Sequence, residues 1–370
     1  MLDLEERPLV TLGLREGPIS LAKEAAAQVG TPVVEFDDIR SFTNYLYSEL
    51  PLAVLVRPGQ LAQSTCFHMR TQLRFADVPI LGAATDCGDV AFVELFMWGG
   101  DDLVQMQSSE GLARRLRLIR QRPEIPTSRS SAAGIALVAG ADPQWRSVVA
   151  RALFHGGYRI RYVTTSAELL TDLATHTPAI VVASEGLRPN GAGRALRETR
   201  PSSSVPWIIV AAPKRLPSIA AELRGVEQLA FVDAFGPPEN TLFVANELLF
   251  GYGVDKRTAT RVLYGSSVAF RNAGGERDDV GLTYNVSTGG LFIRTLAPCE
   301  VGQEVWLELW PPRSDRRVRL AGRVAWVRPF GSPEGATSPP GCGVQVSEGL
   351  AGDLARFTSG VKAFERSLFA

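Results

Sequence analysis

The hydrophobic period of this chain changes once, near residue 255, and that change restricts the fold more than any other feature. Before it, short apolar runs alternate with stretches whose apolar residues recur every three to four positions, the pattern of strands separated by helices. After it, apolar and polar residues alternate one by one, the pattern of antiparallel strands with one buried face. A sheet of the first kind needs helices over both faces, and one of the second kind does not. A chain of 370 residues therefore divides into two or three domains rather than one core.

In the first segment, 8–121, the runs 9–14, 32–36, 52–56, 78–85 and 102–106 read as strands. The stretches 19–30, 41–50 and 110–120 have helical spacing. Gly30 stops the first helix, and arginines in the last turns of the third suit its dipole. Gly99, Gly100, Asp101 and Asp102 read as a turn. The stretch 121–134, rich in Pro, Ser and small residues, is a linker. The second segment repeats the outline, with strands at 135–140, 158–165, 178–184, 205–212 and 229–235 and helices at 142–158, 166–176 and 237–250. Asp142 suits an N-cap and Pro143 the first helical position. The two segments look like a tandem duplication of one five-stranded α/β unit. The expected division is 1–121, a linker at 122–133, 134–252 and 253–370.

The stretch "ALVAGADPQWRSVVARALFHGGYRIRYVTTSAELLTDL" resembles the opening of the receiver domains of bacterial two-component systems, and "GGDDLVQMQSSEGLARRLRLI" carries the likeness more weakly in the first segment. The resemblance implies a doubly wound, flavodoxin-like fold with function at the carboxyl ends of the strands. Receiver chemistry needs an acidic pair for Mg²⁺, a phosphoacceptor aspartate, a Ser or Thr, and a Lys. Here those positions fall on Gly140 and Ala141, Ser184, the neighbourhood of Ala211, and that of Gly236. In the first segment the acceptor position holds Arg57 and the lysine position Met106. Both units read as non-phosphorylatable pseudo-receivers that hold a protein partner.

The third segment has period-2 runs at 261–271, 290–296, 304–310, 317–328 and 343–348, separated by turn residues, which suggests an antiparallel barrel or sandwich. In the tail, Leu350, Leu354, Phe357, Val361, Phe364 and Leu368 form one helical stripe. It caps the barrel or pairs with a second copy in a homodimer; capping is the favoured expectation.

Two motifs lie in this segment. Arg257 and Arg261 give R-x-x-x-R before the first strand, and Asn285, Ser287 and Gly290 give N-x-S-x-x-G before "LFIRT". "GQEVWLELW", "RLAGRVAWV" and "GCGVQV" follow in order. This succession resembles the PilZ family. The resemblance implies a six-stranded β-barrel that binds cyclic di-GMP, with Arg257 and Arg261 on phosphate and base and with Asn285, Ser287 and Gly290 forming the barrel-side floor. Lys256 adds charge, and Gly289 shares the close backbone approach. The residue types suit the ligand: guanidinium groups pair with phosphate oxygens and guanine edges, and short polar side chains meet base edges. The plainer alternative makes the arginines solvated charges, Asn285 and Ser287 an Asx-type turn, and Gly290 a bulge.

Other chemistry is not supported. Lys+Arg and Asp+Glu both number 39, so there is no bias toward polyanions. Arg313, Arg316, Arg317, Arg319 and Arg323 read as a solvated sheet face rather than a nucleic-acid surface. Cys66, Cys87, Cys299 and Cys342 form no Cys-x-x-Cys pair and read as reduced, half-buried thiols. His68, His155 and His176 are scattered, so no metal site is expected. No P-loop, nucleophile elbow or paired catalytic acids occur. The N-terminus is acidic, without the apolar run of a signal peptide, and no run is long enough to span a bilayer. The expectation is a multidomain, cytoplasmic, non-enzymatic cyclic di-GMP effector without metal or cofactor. It has two doubly wound α/β domains, then a barrel and a C-terminal helix. Motility, polarity or surface polysaccharide are its expected outputs. The alternatives are an interaction scaffold that binds no nucleotide and a phosphorylation-controlled regulator.

Overall fold

The computed structural model describes residues 6–84, 89–122, 134–189, 191–199, 204–250, 259–275, 278–331, 338–350 and 352–368. The first unit runs β1 (Leu9–Leu12), α1 (Glu16–Ala27), β2 (Val33–Phe36), α2 (Ile39–Ser48), β3 (Ala53–Val56), α3 (Gln60–Arg70), β4 (Ile80–Ala84), α4 (Asp89–Met97), β5 (Asp102–Gln105) and α5 (Glu110–Arg120). Its sheet is parallel, in the order β2-β1-β3-β4-β5. The strands β1, β3 and β4 are buried along their whole length, because helices cover both faces. Val10, Leu12, Val54 and Val56 pack on one face, and Leu9, Ala53, Leu55 and Leu81 on the other. The sequence reading passed over α3 and α4. In α4, DVAFVELFM, apolar residues lie on several sides and blur the period.

The second unit runs β6 (Ile135–Ala139), α6 (Pro143–His155), β7 (Arg159–Val163), α7 (Ser166–Thr175), β8 (Ile180–Ser184), α8 (Ala192–Thr199), β9 (Trp207–Ala211), α9 (Leu216–Glu222), β10 (Leu229–Asp233) and α10 (Glu239–Phe250). Its sheet, β10-β9-β8-β6-β7, has the same winding as the first. Both units are flavodoxin-like. Asp142 caps α6 by accepting from the Gln144 amide at 2.9 Å. At the carboxyl end of this sheet the Trp145 indole lies against Gly140. A Cβ there would come within 2.7 Å of the ring and 3.2 Å of Ser184 Cβ. An aromatic ring thus borders the positions where a receiver keeps its carboxylates.

The third unit is built from β11 (Val262–Leu263), β12 (Ser267–Asn272), β13 (Asp279–Ser287), β14 (Gly290–Arg294), β15 (Glu304–Leu309), β16 (Val318–Arg328), β17 (Gly341–Gly349) and α11 (Asp353–Leu368). The six strands β12–β17 close into an antiparallel barrel in the order β13-β12-β15-β16-β17-β14, with β14 pairing back onto β13. The strand β11 adds to β13 from outside that ring. The helix α11 caps the barrel with Phe357 and Val361 buried in its core and Leu354 and Phe364 half-buried beside them. A Cβ at Gly360 would collide with the Pro312 carbonyl, so the helix can pass there only as glycine. Leu350, 52% exposed, stands outside the stripe. Arg317 and Arg319 share Glu308, and Arg323 pairs with Glu304, on the outer sheet face.

The Gly-Gly-Asp-Asp stretch is more than a turn. Asp102 begins β5, and both aspartates anchor other units. Arg115 of α5 is fully buried. Its Nε donates to Asp102 Oδ2 at 2.8 Å and its Nη1 to Asp279 Oδ1 at 2.9 Å. Its Nη2 donates to the Val280 carbonyl at 3.2 Å and Thr295 Oγ1 at 3.3 Å. Asp102 Oδ2 also accepts from the Leu296 amide at 2.7 Å. The first unit and the barrel thus share one buried charge network, flanked by Val280 and Leu282 packed into the core of the first unit. Asp101 links the first and second units: Arg70 Nη2 donates to Oδ2 at 2.7 Å and Arg151 Nη2 of α6 to Oδ1 at 2.6 Å. The second unit meets the barrel through Arg294 and Glu239, 3.0 Å apart.

The thiols of Cys66, Cys299 and Cys342 are buried rather than half-buried, and burial pushes those of Cys66 and Cys342 up to about 12. Cys87 lies outside the described residues. Among the described residues no helix is long and apolar enough to cross a membrane, and no group of three or more His, Cys, Asp or Glu is placed to hold a metal ion.

Removing one partner of a buried network strands the others, at a cost of about 3–5 kcal/mol. Arg115→Ala should therefore lower the stability of the barrel by that order in denaturant titration, whereas the exposed Arg319→Ala should cost less than about 1 kcal/mol. Burial works to raise the Asp101 carboxyl, but the Arg151 and Arg70 guanidiniums outweigh it and hold the group below the usual carboxylate range. A depressed folded-state pKa contributes stability above the unfolded value of about 3.9 and loses it as pH falls through the folded value. The contact of the first two units should hold from neutral pH to about pH 4 and weaken below it. Asp101→Asn should flatten that acid limb in thermal melts.

Candidate functional site: a groove between two bulged strands

Asn285 and Ser287 lie in the strand β13, not in the Asx-type turn of the plainer alternative. In β13, Val280, Leu282 and Tyr284 face outward, toward the α/β units. Strict alternation would then turn Asn285 into the barrel. A β-bulge prevents this. Thr283 pairs with Ile293 and Asn285 with Phe292, so Tyr284 is the extra residue. The parity switches there: Val286 enters the barrel core, while Asn285 and Ser287 open onto the outer surface. The strand β16 repeats the device. Val324 pairs with Val344 and Trp326 with Gly343, which leaves Ala325 as the extra residue. Ala325 and Trp326 then both face outward, between the inward-facing Val324 and Val327.

Between these strands lies a groove of about 320 Å³. Arg261, Asn285, Ser287, Gly289 and Gly290 come together along it, joined by Phe292, Trp326 and Gln345. Arg261 directly precedes β11, whose Leu263 pairs with Asn285, so two residues of ladder hold the guanidinium at the groove. It is the only charged residue among the described lining residues. Lys256 and Arg257 lie outside the described residues.

Each polar member has a defined setting. Asn285 is 7% exposed. Ser287 Oγ donates to the Gly290 carbonyl at 3.4 Å, a long contact that leaves the hydroxyl ready to turn to a ligand. Neither Gly289 nor Gly290 has a positive φ. Gly290 is required for another reason: a Cβ would collide with the Val344 carbonyl oxygen across the β14–β17 pairing. Gly289 has open space around it.

The sequence reading missed the aromatic floor. A Cβ on Gly343 would come within 2.6 Å of Trp326 Cε2, so the indole lies flat over that glycine. Trp326 also stacks on Phe292, with centroids 4.9 Å apart and planes at 30°. The local signals were "AWV" and "YNV", where apolar–polar alternation skips a beat. Guanidinium, amide and hydroxyl beside a flat indole suit an anionic ligand that carries a flat heteroaromatic ring. A second, wider groove of about 550 Å³ runs between α5 and the barrel. It mixes Glu110, Asp279 and Glu300 with its arginines and offers no comparable anion site.

Residues 255–360 match the family model of the PilZ domain. The barrel is a PilZ domain. PilZ domains are a family of cyclic di-GMP-binding effector modules, and in this chain the domain follows two receiver-like units. Similar solved structures include the inhibitor of motility from Bacillus subtilis (MotI/DgrA), at 19% identity over 31% of this chain and 53% of that one, with a TM-score of 0.25. The match thus spans about half of that protein. The receiver domain of NtrX from Brucella abortus is 20% identical over 31% of this chain and 97% of its own, with a TM-score of 0.28. The PilZ domain of CeSA from a cellulose-synthesizing bacterium is 17% identical over 30% of this chain and 99% of its own, with a TM-score of 0.21. No curated protein matches. The receiver-like winding of the α/β units rests on their own strand order.

The two glycines of the PilZ motif should separate in a melting experiment. Gly290→Ala forces the β14 and β17 backbones apart and should cost on the order of 1–3 kcal/mol. Gly289→Ala, with nothing near its Cβ, should leave the melting temperature almost unchanged.

Proposed function

We propose that the protein is a cyclic di-GMP receptor whose PilZ groove binds the dinucleotide and whose receiver-like units engage a protein partner. The convergence of Arg261, Asn285 and Ser287 with a tryptophan floor, in a groove with no carboxylate among its described lining residues, carries this reading. The ligand has two phosphodiester anions and two guanines. Arg261 offers paired donors to a phosphate or to guanine O6 and N7. Asn285 and Ser287 meet a base edge, and Trp326 supplies a stacking surface. Arg257, four positions before Arg261, adds a second guanidinium, with Lys256 as further charge.

The α/β units lack the acidic pair and phosphoacceptor of a receiver, and Trp145 occupies the space beside Gly140. They act as binding surfaces rather than as phosphate acceptors. The proposed role is non-enzymatic, needs no cofactor, and belongs in the cytoplasm, with motility, polarity or surface polysaccharide as outputs.

Calorimetric titration of cyclic di-GMP into the full chain should show saturable binding. Arg261→Ala and Asn285→Ala should each weaken it. Losing a hydrogen bond to a charged group is worth about 1.5–3 kcal/mol, or roughly ten- to a hundredfold for the arginine. Absence of binding by the unmodified protein would leave the scaffold reading in its place.

A further inference from the structure

The groove touches the two α/β units very differently. The first unit holds the barrel at the opening of β13, through Asp279, Val280 and Leu282, and just beyond β14, through Thr295 and Leu296. From Leu282, the nearest of these along β13, to Asn285 is three residues of strand, about 10 Å. The second unit meets the residue next to the site. Tyr284, the bulged residue before Asn285, donates its hydroxyl to the Glu239 carbonyl at the start of α10, at 2.5 Å. Its ring meets Phe243 of α10 edge-on, with centroids 5.9 Å apart at 88°. The other neighbour of that ring is Phe292, at 5.9 Å and 71°, and Phe292 stacks on Trp326. Four aromatic rings therefore run without a gap from the groove floor to α10.

Resting on the cyclic di-GMP reading, we infer that Tyr284 is a positioning residue that couples the groove to α10 of the second unit, while the first unit serves as a fixed mount. A dinucleotide that stacks on Trp326 fixes the Phe292 ring behind it. Phe292 bears on Tyr284, and Tyr284 on Phe243 and the first turn of α10. Because Tyr284 and Asn285 are adjacent in one bulge, neither can shift without the other. Coupling free energy is reciprocal, so whatever α10 binds on its far side alters the affinity of the groove by the same factor. The Arg294–Glu239 pair at the end of β14 adds a second contact to the same residue of α10. The fixed role of the first unit follows from Arg115, whose buried donors have partners on both sides of that contact and leave no alternative register.

The test is hydrogen exchange of the full chain, free and saturated with cyclic di-GMP, for the unmodified protein, Tyr284→Phe and Phe243→Ala, with affinity measured alongside. Saturation of the unmodified protein should change exchange in the first half of α10 and in β13–β14, and leave α5 unchanged. Tyr284→Phe loses only the hydroxyl and should still bind, on the order of fivefold more weakly. Its α10 response should be reduced, with protection at β13–β14 retained. Phe243→Ala, outside the groove, should do the same by removing the ring contact. Binding with a silent α10 in the unmodified protein would overturn the coupling and leave the receptor reading standing. So would wild-type affinity and α10 response in both variants. Failure of the unmodified protein to bind the dinucleotide would overturn both.

Discussion

The Arg115 guanidinium, sealed between Asp102 of its own unit and Asp279 of the barrel, is the contact on which the arrangement of this protein depends. A cation without solvent is tolerable only when its donors are matched, and each of its three nitrogens has an acceptor. Apolar surfaces can slide past one another at little cost, but a buried ion with fixed partners cannot. The network therefore selects one seating of the barrel on the first unit. The neighbouring carboxylate does the same for the second unit. Successive side chains of an extended backbone point to opposite sides, so Asp102 reaches the barrel while Asp101 reaches Arg151. Two adjacent residues hold three units together.

With the barrel fixed, its binding surface follows from two irregularities in its strands. A regular barrel strand offers every second residue to the outside. The bulges at Tyr284 and Ala325 each place two consecutive side chains outward, on opposite walls of one groove. Polar contacts gather on the β13 wall and the flat indole on the β16 wall. Glycines make the close approaches possible. Gly290 lets β14 lie against the Val344 carbonyl, and Gly343 leaves room for Trp326.

Fold class was legible because it rests on periodicity, which local sequence carries directly. Buried parallel strands such as AVLV and alternating ones such as EVWLEL are distinct even as strings. Arg261 of the R-x-x-x-R motif and the residues of N-x-S-x-x-G point to the groove for the same reason, since their spacing is local. What escaped depends on contacts distant in sequence. Asp101 and Asp102 look like a polar turn until Arg115, Arg151 and Leu296 are folded against them. Tyr284 falls between the period-2 runs legible in the sequence, and only the pairings of Thr283 and Asn285 show it to be the bulged residue of a strand. Trp326 was read as part of a plain alternating strand, because nothing local says that Gly343 lies beneath its ring. The cysteines were placed half-buried for want of a local signal of depth, and those described lie in the cores.

A crystal structure of the full chain grown with saturating cyclic di-GMP bears most directly on the central claim. The dinucleotide is expected in the groove between β13 and β16, with a phosphate on Arg261, a base edge on Asn285 and Ser287, and a guanine face against Trp326. An empty groove under those conditions, or a dinucleotide held elsewhere on the protein, would contradict it.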